Sequence, residues 1–485
     1  MNAPIRRLSV IIAMLFVALL ISTTYIQGVA AKSINGMAGN RRTLLSSYNR
    51  ERGSILIDGQ AVARSVPSKD ELKWARVYAH PTRYAHVTGY YSFVYGAGGG
   101  IEGSENPLLS GTSDRLFYRR ISNLLTGKSA VGASLELTIN PKAQAAAEEA
   151  LGNQRGAVVA LDPSTGAILA LVSHPAYDPT LLSGHDTDAT VAAWRKLLDD
   201  EGDPLINRAI GGNLYPPGST FKLVTAAAAL ESGKYTQDSL VPGPAELELP
   251  QTTTTLPNHD LRACGPDDKT TLLHALEISC NTAFASLGME LGDDALRAQA
   301  AKFGFGVGLT IPMPVSPSTI PDVMDAAQTA QAAIGQFEVR VTPLQMAMVA
   351  ASIANDGRVM RPYLVASVRG GDLTVIDEAS PDTLSEAISQ GSARQLTTMM
   401  KAVVASGTGQ AAQISGIEVA GKTGTAQHAV GAAPHAWFTA FAPADDPKVA
   451  VAVVVEEGGA AGTDAAGGAV AGPIAKAVME AVLNS

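Results

Sequence analysis

The chain has no surplus of basic residues: 36 lysines and arginines stand against 45 aspartates and glutamates. The formal net charge of -9 gives no support to a nucleic-acid partner. Cysteine is scarce, and its two copies, Cys264 and Cys280, allow one disulfide at most. The histidines carry no metal signature, because His259, His274, His428 and His435 lack the short mutual spacing of a zinc site. No metal and no cofactor is expected. No internal repeat or long low-complexity tract is evident, although alanine and glycine are plentiful. One glycine pattern, Gly98-Gly99-Gly100-Ile101-Glu102-Gly103, has the form of a dinucleotide fingerprint. It reads as a loop, since Ser104-Glu105-Asn106-Pro107 follows it in place of a clear helix and the βαβ setting is missing.

What the chain does have is three short motifs in one order: Ser219-Thr220-Phe221-Lys222, Ser279-Cys280-Asn281 and Lys422-Thr423-Gly424-Thr425. A serine hydroxyl is a poor nucleophile until a base is held within hydrogen-bonding reach. Lys222 can be that base if Ser219 opens a helix, because a residue three positions on lies on the same face. Pro216-Pro217-Gly218 fits a helix entrance, and the uncharged run Leu223 to Leu230 suits a helix buried all round. The helix N-terminus would favour the negative charge that develops during attack on a carbonyl. The lysine also needs a pKa well below its free value of about 10.4, which burial or a second cation such as Lys422 would supply.

Each motif is weak alone. A Ser-x-x-Lys arises by chance about as often as not in a chain this long, and Ser33, Ser47 and Ser104 also open a Ser-x-Asn. Lys-Thr-Gly by itself is an ordinary turn at a strand end. The order and spacing of all three point to a serine acyl-transfer site.

With these motifs the chain resembles the penicillin-recognising serine transpeptidases, whose signature is this trio in this order. The likeness extends to Arg155-Gly156-Ala157-Val158-Val159-Ala160-Leu161-Asp162-Pro163-Ser164-Thr165-Gly166, to Asn207-Arg208-Ala209, to Ile334-Gly335-Gln336, to Val341 through Ala347, and to Ala436-Trp437-Phe438. It implies an α/β fold of the α+β type, with an antiparallel sheet flanked by helices. It implies that Ser219 is acylated, that Lys222 takes its proton, and that Ser279 and Asn281 relay protons and hold the substrate amide. Lys422 would add charge, Thr423 and Thr425 would bind the substrate carboxylate, and the N–H groups of Ser219 and Thr425 would form the oxyanion hole. The implied partners are peptidoglycan stem peptides ending in D-Ala-D-Ala and β-lactams that acylate the same serine. A β-lactamase, a D,D-carboxypeptidase on the same site, and a non-catalytic cell-wall scaffold or sensor are the alternatives. No base for a deacylating water is identifiable, which disfavours the lactamase.

Arg52 to Gly59 looks like the start of the N-terminal module of class B penicillin-binding proteins, and too few residues precede Arg155 for a glycosyltransferase domain as well. The compact N-terminal region and Tyr90 to Gly111 narrow the likeness to an actinobacterial subgroup linked to cell division, with cell-division proteins as partners. Leu8 to Ala31 holds no charged residue, is long enough to cross a bilayer, and follows Arg6 and Arg7. An uncleaved anchor is expected, with a cleaved signal peptide ending near Gly28-Val29-Ala30 as the rival. Arg41 and Arg42 weaken the orientation argument, which the resemblance restores by placing the catalytic part outside the membrane. The resulting division is a tail and anchor (1–31), an N-terminal module (32–154) and a transpeptidase domain (155–485).

In that oxidising setting Cys264 and Cys280 are either bridged or two buried free thiols. Near the C-terminus, Ile417 to Ala420 reads as a strand leading into Lys422-Thr423-Gly424-Thr425. Trp437 to Phe441 and Val449 to Val455 read as two more, joined by a solvated turn through Asp445 and Asp446. Ile474 to Leu483 reads as a helix packed on them. The motif strand would wall the groove, and Gly424 would let substrate approach it closely. His435 reads as a strand or groove residue, and Glu456 and Glu457 are given no catalytic role.

Overall fold

The structure is a computed structural model that describes residues 2–35, 48–70, 72–116, 131–212, 214–372, 374–429, 431–464 and 466–485. Arg41 and Arg42 lie outside these described residues. Helix α1, Asn2–Thr24, runs on through a π-helical turn at Tyr25–Val29. Its span from Ala3 to Val29 covers 27 residues and contains an 18-residue stretch with a mean hydropathy of 2.3, long and apolar enough to cross a membrane.

The first sheet begins with β1 (Ile55–Ile57), β2 (Gln60–Pro67) and β3 (Trp74–Tyr78) and continues in β4 (Ser134–Leu137). Between β3 and β4 the glycine pattern is more than a loop. Gly96–Gly98 pairs with Tyr90–Ser92 in a hairpin, and Gly100–Ser104 and Asn106–Leu109 are short helices. The glycines serve close packing: a Cβ on Gly100, which has φ +33°, would fall 2.3 Å from the Gly89 nitrogen. Glu102 is fully buried and receives Arg52 Nε and Arg76 Nε, each at 2.6 Å.

Helix α2, Pro141–Leu151, starts where the Asn140 side chain accepts the N–H groups of Lys142 and Ala143, with Pro141 at its first position. Strands β5 (Gly156–Leu161) and β6 (Ile168–His174) then open the larger sheet. Helices α3 (Lys222–Glu231), α4 (Asn281–Leu291) and α5 (Pro343–Ala354) follow. Two further strands, β7 (Val365–Arg369) and β8 (Val375–Glu378), leave this part of the chain and complete the first sheet in the order β8-β7-β4-β1-β2-β3. The N-terminal module is thus closed by residues far along the sequence.

Helix α6 (Gln390–Ala405) leads to β9 (Ala420–Ala426), β10 (His435–Ala442), β11 (Val449–Val455) and helix α7 (Gly467–Leu483). The five-stranded sheet runs β9-β10-β11-β5-β6, antiparallel throughout. Strands β5 and β11 are buried at every residue, as an uninterrupted apolar run requires when both faces are covered. Period-two alternation sorts the side chains. Val158, Ala160, Phe438 and Val451 pack with Ile474 and Met479 of α7, whereas Val159, Leu161, Trp437 and Ala452 pack with the α3 and α5 side. Helix α7 begins seven residues before the expected Ile474, through small residues whose periodicity is weak. Asp445 and Asp446 are exposed in the turn before β11.

Candidate active site

The first motif sits on a single 3-10 turn, Gly218–Phe221, rather than in the α-helix itself, which begins at Lys222. In a 3-10 turn the side chains at i and i+3 eclipse, so Ser219 and Lys222 still share a face. Gly218 is left-handed at φ +52°, and its N–H donates to Gly335 O at 2.9 Å. A Cβ on Gly218 would lie 2.7 Å from Thr425 O, and one on Gly335 would lie 2.0 Å from Gly218 O. The turn is therefore wedged between the Gly335 loop and the third motif. Thr220 Oγ1 donates to Pro217 O at 2.8 Å and Trp437 Nε1 to Pro216 O at 3.1 Å, which fixes it from both ends. Ser219 stays half-buried at its tip.

Beneath it Lys222 has no exposed surface and donates to Ser279 O at 2.7 Å, Asn281 Oδ1 at 2.8 Å and Ser279 Oγ at 3.3 Å. Lys422, also fully buried, reaches the same hydroxyl at 2.9 Å and Thr423 O at 3.0 Å. Burial drives the Lys222 pKa well below the usual lysine value, and the Lys422 charge adds to the effect. Burial alone lowers Lys422 to about 7. Among the described residues the Ser219 hydroxyl makes no hydrogen bond, which leaves it free toward the cavity.

Ser279 is held at φ +62°, the left-handed region that a non-glycine residue rarely adopts. Its position follows from a helix of residues Leu272–Glu277 ending just before it and α4 starting just after. Asn258, buried and absent from the sequence reading, ties this segment down. Its Oδ1 accepts the N–H groups of Asn281 at 2.9 Å and Thr282 at 3.0 Å, and its Nδ2 donates to Pro244 O and Arg262 O, both at 2.8 Å. Cys264 and Cys280 are bonded to each other across a sequence separation of 16, so the bridged alternative holds.

The third motif is not a turn after a strand. Lys422, Thr423, Gly424 and Thr425 lie inside β9, which begins at Ala420 and forms an edge of the sheet. An edge strand carries a row of outward backbone groups that an extended peptide can pair with. Gly424 also serves the protein's own packing. A Cβ there would meet Thr220 Cγ2 at 2.9 Å, Trp437 Cβ at 2.9 Å and Pro217 O at 3.0 Å, all behind the strand. Gly467 N–H donates to Thr425 Oγ1 at 3.4 Å, and Thr408 Oγ1 lies 2.7 Å from Thr423 Oγ1.

A cavity of about 610 Å³ opens over these groups, lined by Ser219, Ser279, Asn281, Thr423 and Thr425 among others, with both lysines buried below. All three motifs thus converge on one site. His435 is a buried strand residue whose Nδ1 accepts the Glu457 N–H at 3.1 Å. Glu456 accepts hydrogen bonds from Arg208 Nε at 2.8 Å and Tyr215 OH at 2.6 Å and forms an ion pair with Arg155 Nε at 3.1 Å, an anchor for the segment that runs into the Ser219 turn. Asn258 and Thr408 are the residues that sequence reasoning missed. Neither belongs to a motif, and only the fold brings them to the site.

Comparison with known proteins agrees with this geometry. The profile of the penicillin binding protein transpeptidase domain matches residues 156–480, and that of the penicillin binding protein A dimerisation domain matches 52–135. The chain is 46% identical to the peptidoglycan D,D-transpeptidase PbpA of Mycolicibacterium smegmatis, over 100% of this chain and 99% of the relative. It is 44% identical to PbpA of Mycobacterium tuberculosis, at 100% and 99% coverage. The solved ceftriaxone acyl-enzyme complex of M. tuberculosis penicillin-binding protein A superposes with a TM-score of 0.87 at 44% identity, covering 90% of this chain and 100% of that one. Its penicillin G acyl-enzyme complex gives 0.85 at 43%, with the same coverage.

Proposed function

This chain belongs to the penicillin-binding protein transpeptidase family, and on that premise we propose that Ser219 is acylated by the D-Ala-D-Ala end of a peptidoglycan stem peptide. It is a serine-type D,D-transpeptidase. Ser219 Oγ attacks the carbonyl of the penultimate D-Ala while its proton passes to neutral Lys222. The N–H groups of Ser219 and Thr425 hold the oxyanion. The peptide C–N bond breaks, the departing D-Ala amine takes the proton back from Lys222 through Ser279, and an ester on Ser219 remains. An amine of a neighbouring stem then attacks this ester, gives its proton to the same relay, and leaves as the cross-linked amide with Ser219 restored. Asn281 holds the substrate amide, and Thr423 and Thr425 take the terminal carboxylate beside Lys422. With a β-lactam the ring C–N bond opens in the first step and nothing departs.

One observation carries this reading: two fully buried lysines meet on the Ser279 hydroxyl, at 3.3 and 2.9 Å, beneath a half-buried serine that nothing else holds among the described residues. We assign residues 1–31 to a tail and single-pass anchor, 32–154 to an N-terminal module and 155–485 to the catalytic domain, outside the membrane. Strands β7 and β8 are a sequence-distant part of the module's sheet. A role in septal wall synthesis, with cell-division proteins as partners, rests on the likeness of the N-terminal region. A uniform distribution of a fluorescent fusion through division would remove it.

The central test is the intact mass of the full-length chain in detergent after exposure to penicillin, with Ser219→Ala beside it. A stable adduct on the wild type alone is expected. Loss of drug with no adduct would make the protein a β-lactamase, and intact drug with no adduct would favour a scaffold.

A further inference from the structure

The two N–H groups assigned to the oxyanion, those of Ser219 and Thr425, belong to different parts of the fold. Ser219 lies on the 3-10 turn ahead of α3, and Thr425 on the edge strand β9. Their separation depends on what ties the turn to the strand. Thr425 O faces the turn, since a Cβ on Gly218 would lie 2.7 Å from it, so the main-chain groups of Thr425 point away from β10. Main-chain groups alternate in direction along a strand, and those of Gln427, two residues on, therefore leave by the same edge. The ladder with β10 ends at Ala426↔His435, so Gln427 lies beyond it.

Gln336 meets both of these groups. Its side-chain nitrogen donates to Gln427 O at 3.1 Å and its side-chain oxygen accepts the Gln427 N–H at 3.3 Å, as the backbone of a neighbouring strand would. The loop that presents it is fastened to the other half of the site. It follows the helix Ala326–Ala332, whose C-cap residue Ala333 accepts Thr225 Oγ1 of α3 on its carbonyl at 2.7 Å. Gly335 O accepts the N–H of Gly218, the residue before Ser219, at 2.9 Å, and Gly335 N–H donates to Ala332 O at 2.8 Å. Phe337 is held at φ +57°, a conformation that a bulky residue rarely adopts, and its carbonyl accepts Arg340 Nη1 at 2.7 Å. Strain of this kind persists only where the surroundings impose it.

We propose that Gln336 is a positioning residue for the oxyanion hole, bridging the Ser219 turn and the end of β9 so that the two N–H donors keep a fixed separation. The proposal rests on the reading that these donors hold the oxyanion, and adds a residue outside all three motifs. Its effect falls on the transition state, where the carbonyl oxygen carries charge, and little on the complex that precedes attack. Gln336 also lines the cavity, so binding and chemistry have to be measured apart.

Rapid mixing of the full-length chain in detergent with penicillin G separates the non-covalent dissociation constant from the acylation rate constant. A boronic acid that forms a tetrahedral adduct on Ser219, with an oxygen in the hole, reports on the hole directly. Gln336→Met keeps the length of the side chain and removes both contacts to Gln427. It is expected to lower the acylation constant about tenfold, short of the roughly 100- to 1000-fold lost with a whole oxyanion donor. Boronate affinity should fall by the same factor, with the non-covalent constant within about twofold of wild type. Gln336→Asn, which keeps the amide but not the reach, should behave like the methionine variant. A loss confined to the non-covalent constant, equal losses in all three quantities, or no loss would each overturn the proposal. Failure of the underlying reading looks different: wild-type protein would then take no label from penicillin, or bind the boronate no more tightly than the matching carboxylic acid.

Discussion

Gly424→Ala separates two accounts of the third motif. If the glycine exists to admit substrate, an added methyl lies in the groove, leaves the empty fold undisturbed and blocks only binding. The structure places that methyl behind the strand, 2.9 Å from Thr220 Cγ2, 2.9 Å from Trp437 Cβ and 3.0 Å from Pro217 O. Carbon contacts are comfortable at about 3.5–4.0 Å, so three neighbours must each yield by roughly 0.5–1 Å. None yields easily. Trp437 is fully buried and bonded to Pro216 O, Thr220 is bonded to Pro217 O, and Pro217 is backbone of the nucleophile turn. Overpacking of this kind costs about 1–3 kcal/mol, and displacing the Ser219 turn by even part of 1 Å is enough to slow acylation by up to about 100-fold. The assay pairs urea unfolding of the full-length chain in detergent with acylation by a small fluorescent penicillin. Gly184→Ala is the control, since nothing lies within 4 Å of a Cβ at that position. An unchanged unfolding midpoint together with normal penicillin labelling and lost stem-peptide turnover would refute the packing account.

The lysine pair makes acylation and stability depend on pH in linked ways. Part of the depression of Lys222 comes from the Lys422 charge, so Lys422→Met should move the rising limb of the acylation pH profile to higher pH, besides lowering its plateau. For stability, Lys422 titrates near 7 in the folded chain and about 10.4 when unfolded. Between those values the unfolded state holds more protons, stability rises with pH, and the methionine variant should flatten that rise in denaturation midpoints measured across the range. Asn258→Ala strips partners from the N–H groups of Asn281 and Thr282 and from the carbonyls of Pro244 and Arg262. Pro244 O still accepts from Thr282 Oγ1 at 2.7 Å, so the two N–H groups carry the effect: at about 1–3 kcal/mol each, a loss of at least roughly 2 kcal/mol is expected in urea unfolding, with slower penicillin labelling. Asn258→Asp, which keeps the acceptor for Asn281, should fall between; a variant as stable as wild type would remove Asn258 from the support of the site.

The convergence of the three motifs was legible because acyl-transfer chemistry calls for these residue types in a fixed order, which makes coincidence improbable even when each motif is common. Strand β11 was legible for another reason: with both faces buried it is apolar at every position, and the run Val449 to Val455 carries that pattern. The bounds of β9 were not, because the apolar run Ile417 to Ala420 suggested a strand ahead of the motif, whereas the paired strand runs from Ala420 to Ala426 and contains it. Gly424 is accommodated in the strand because the close approach of Thr220, Trp437 and Pro217 leaves no room for a side chain, while threonine is at home in a strand. The nucleophile turn was placed one turn too deep into its helix. Proline and a left-handed glycine delay the helix until Lys222, and the 3-10 geometry preserves the Ser219–Lys222 alignment by a different route.

What escaped the sequence is whatever depends on a single residue meeting a distant partner. Asn258 precedes Asn281 by 23 positions, and Thr408 precedes Thr423 by 15; no periodicity links either pair. The first sheet is the larger instance. Its strand β4 has β7 on one side, paired from Val365↔Leu137 to Arg369↔Ser134, so a module bounded at residue 154 lacks two of its six strands. Those strands follow α5, whose buried face lies against β11 and β5 of the catalytic sheet. The chain thus passes from the catalytic core into the N-terminal sheet and returns through α6 to the Thr408 turn and β9. Two walls of the groove are therefore reached only after the chain has completed the first sheet. Substitutions in β7 that loosen its pairing with β4 act on the same covalent segment that carries Thr408 and Lys422, which gives the two parts of the molecule a physical connection that a boundary drawn on the sequence conceals.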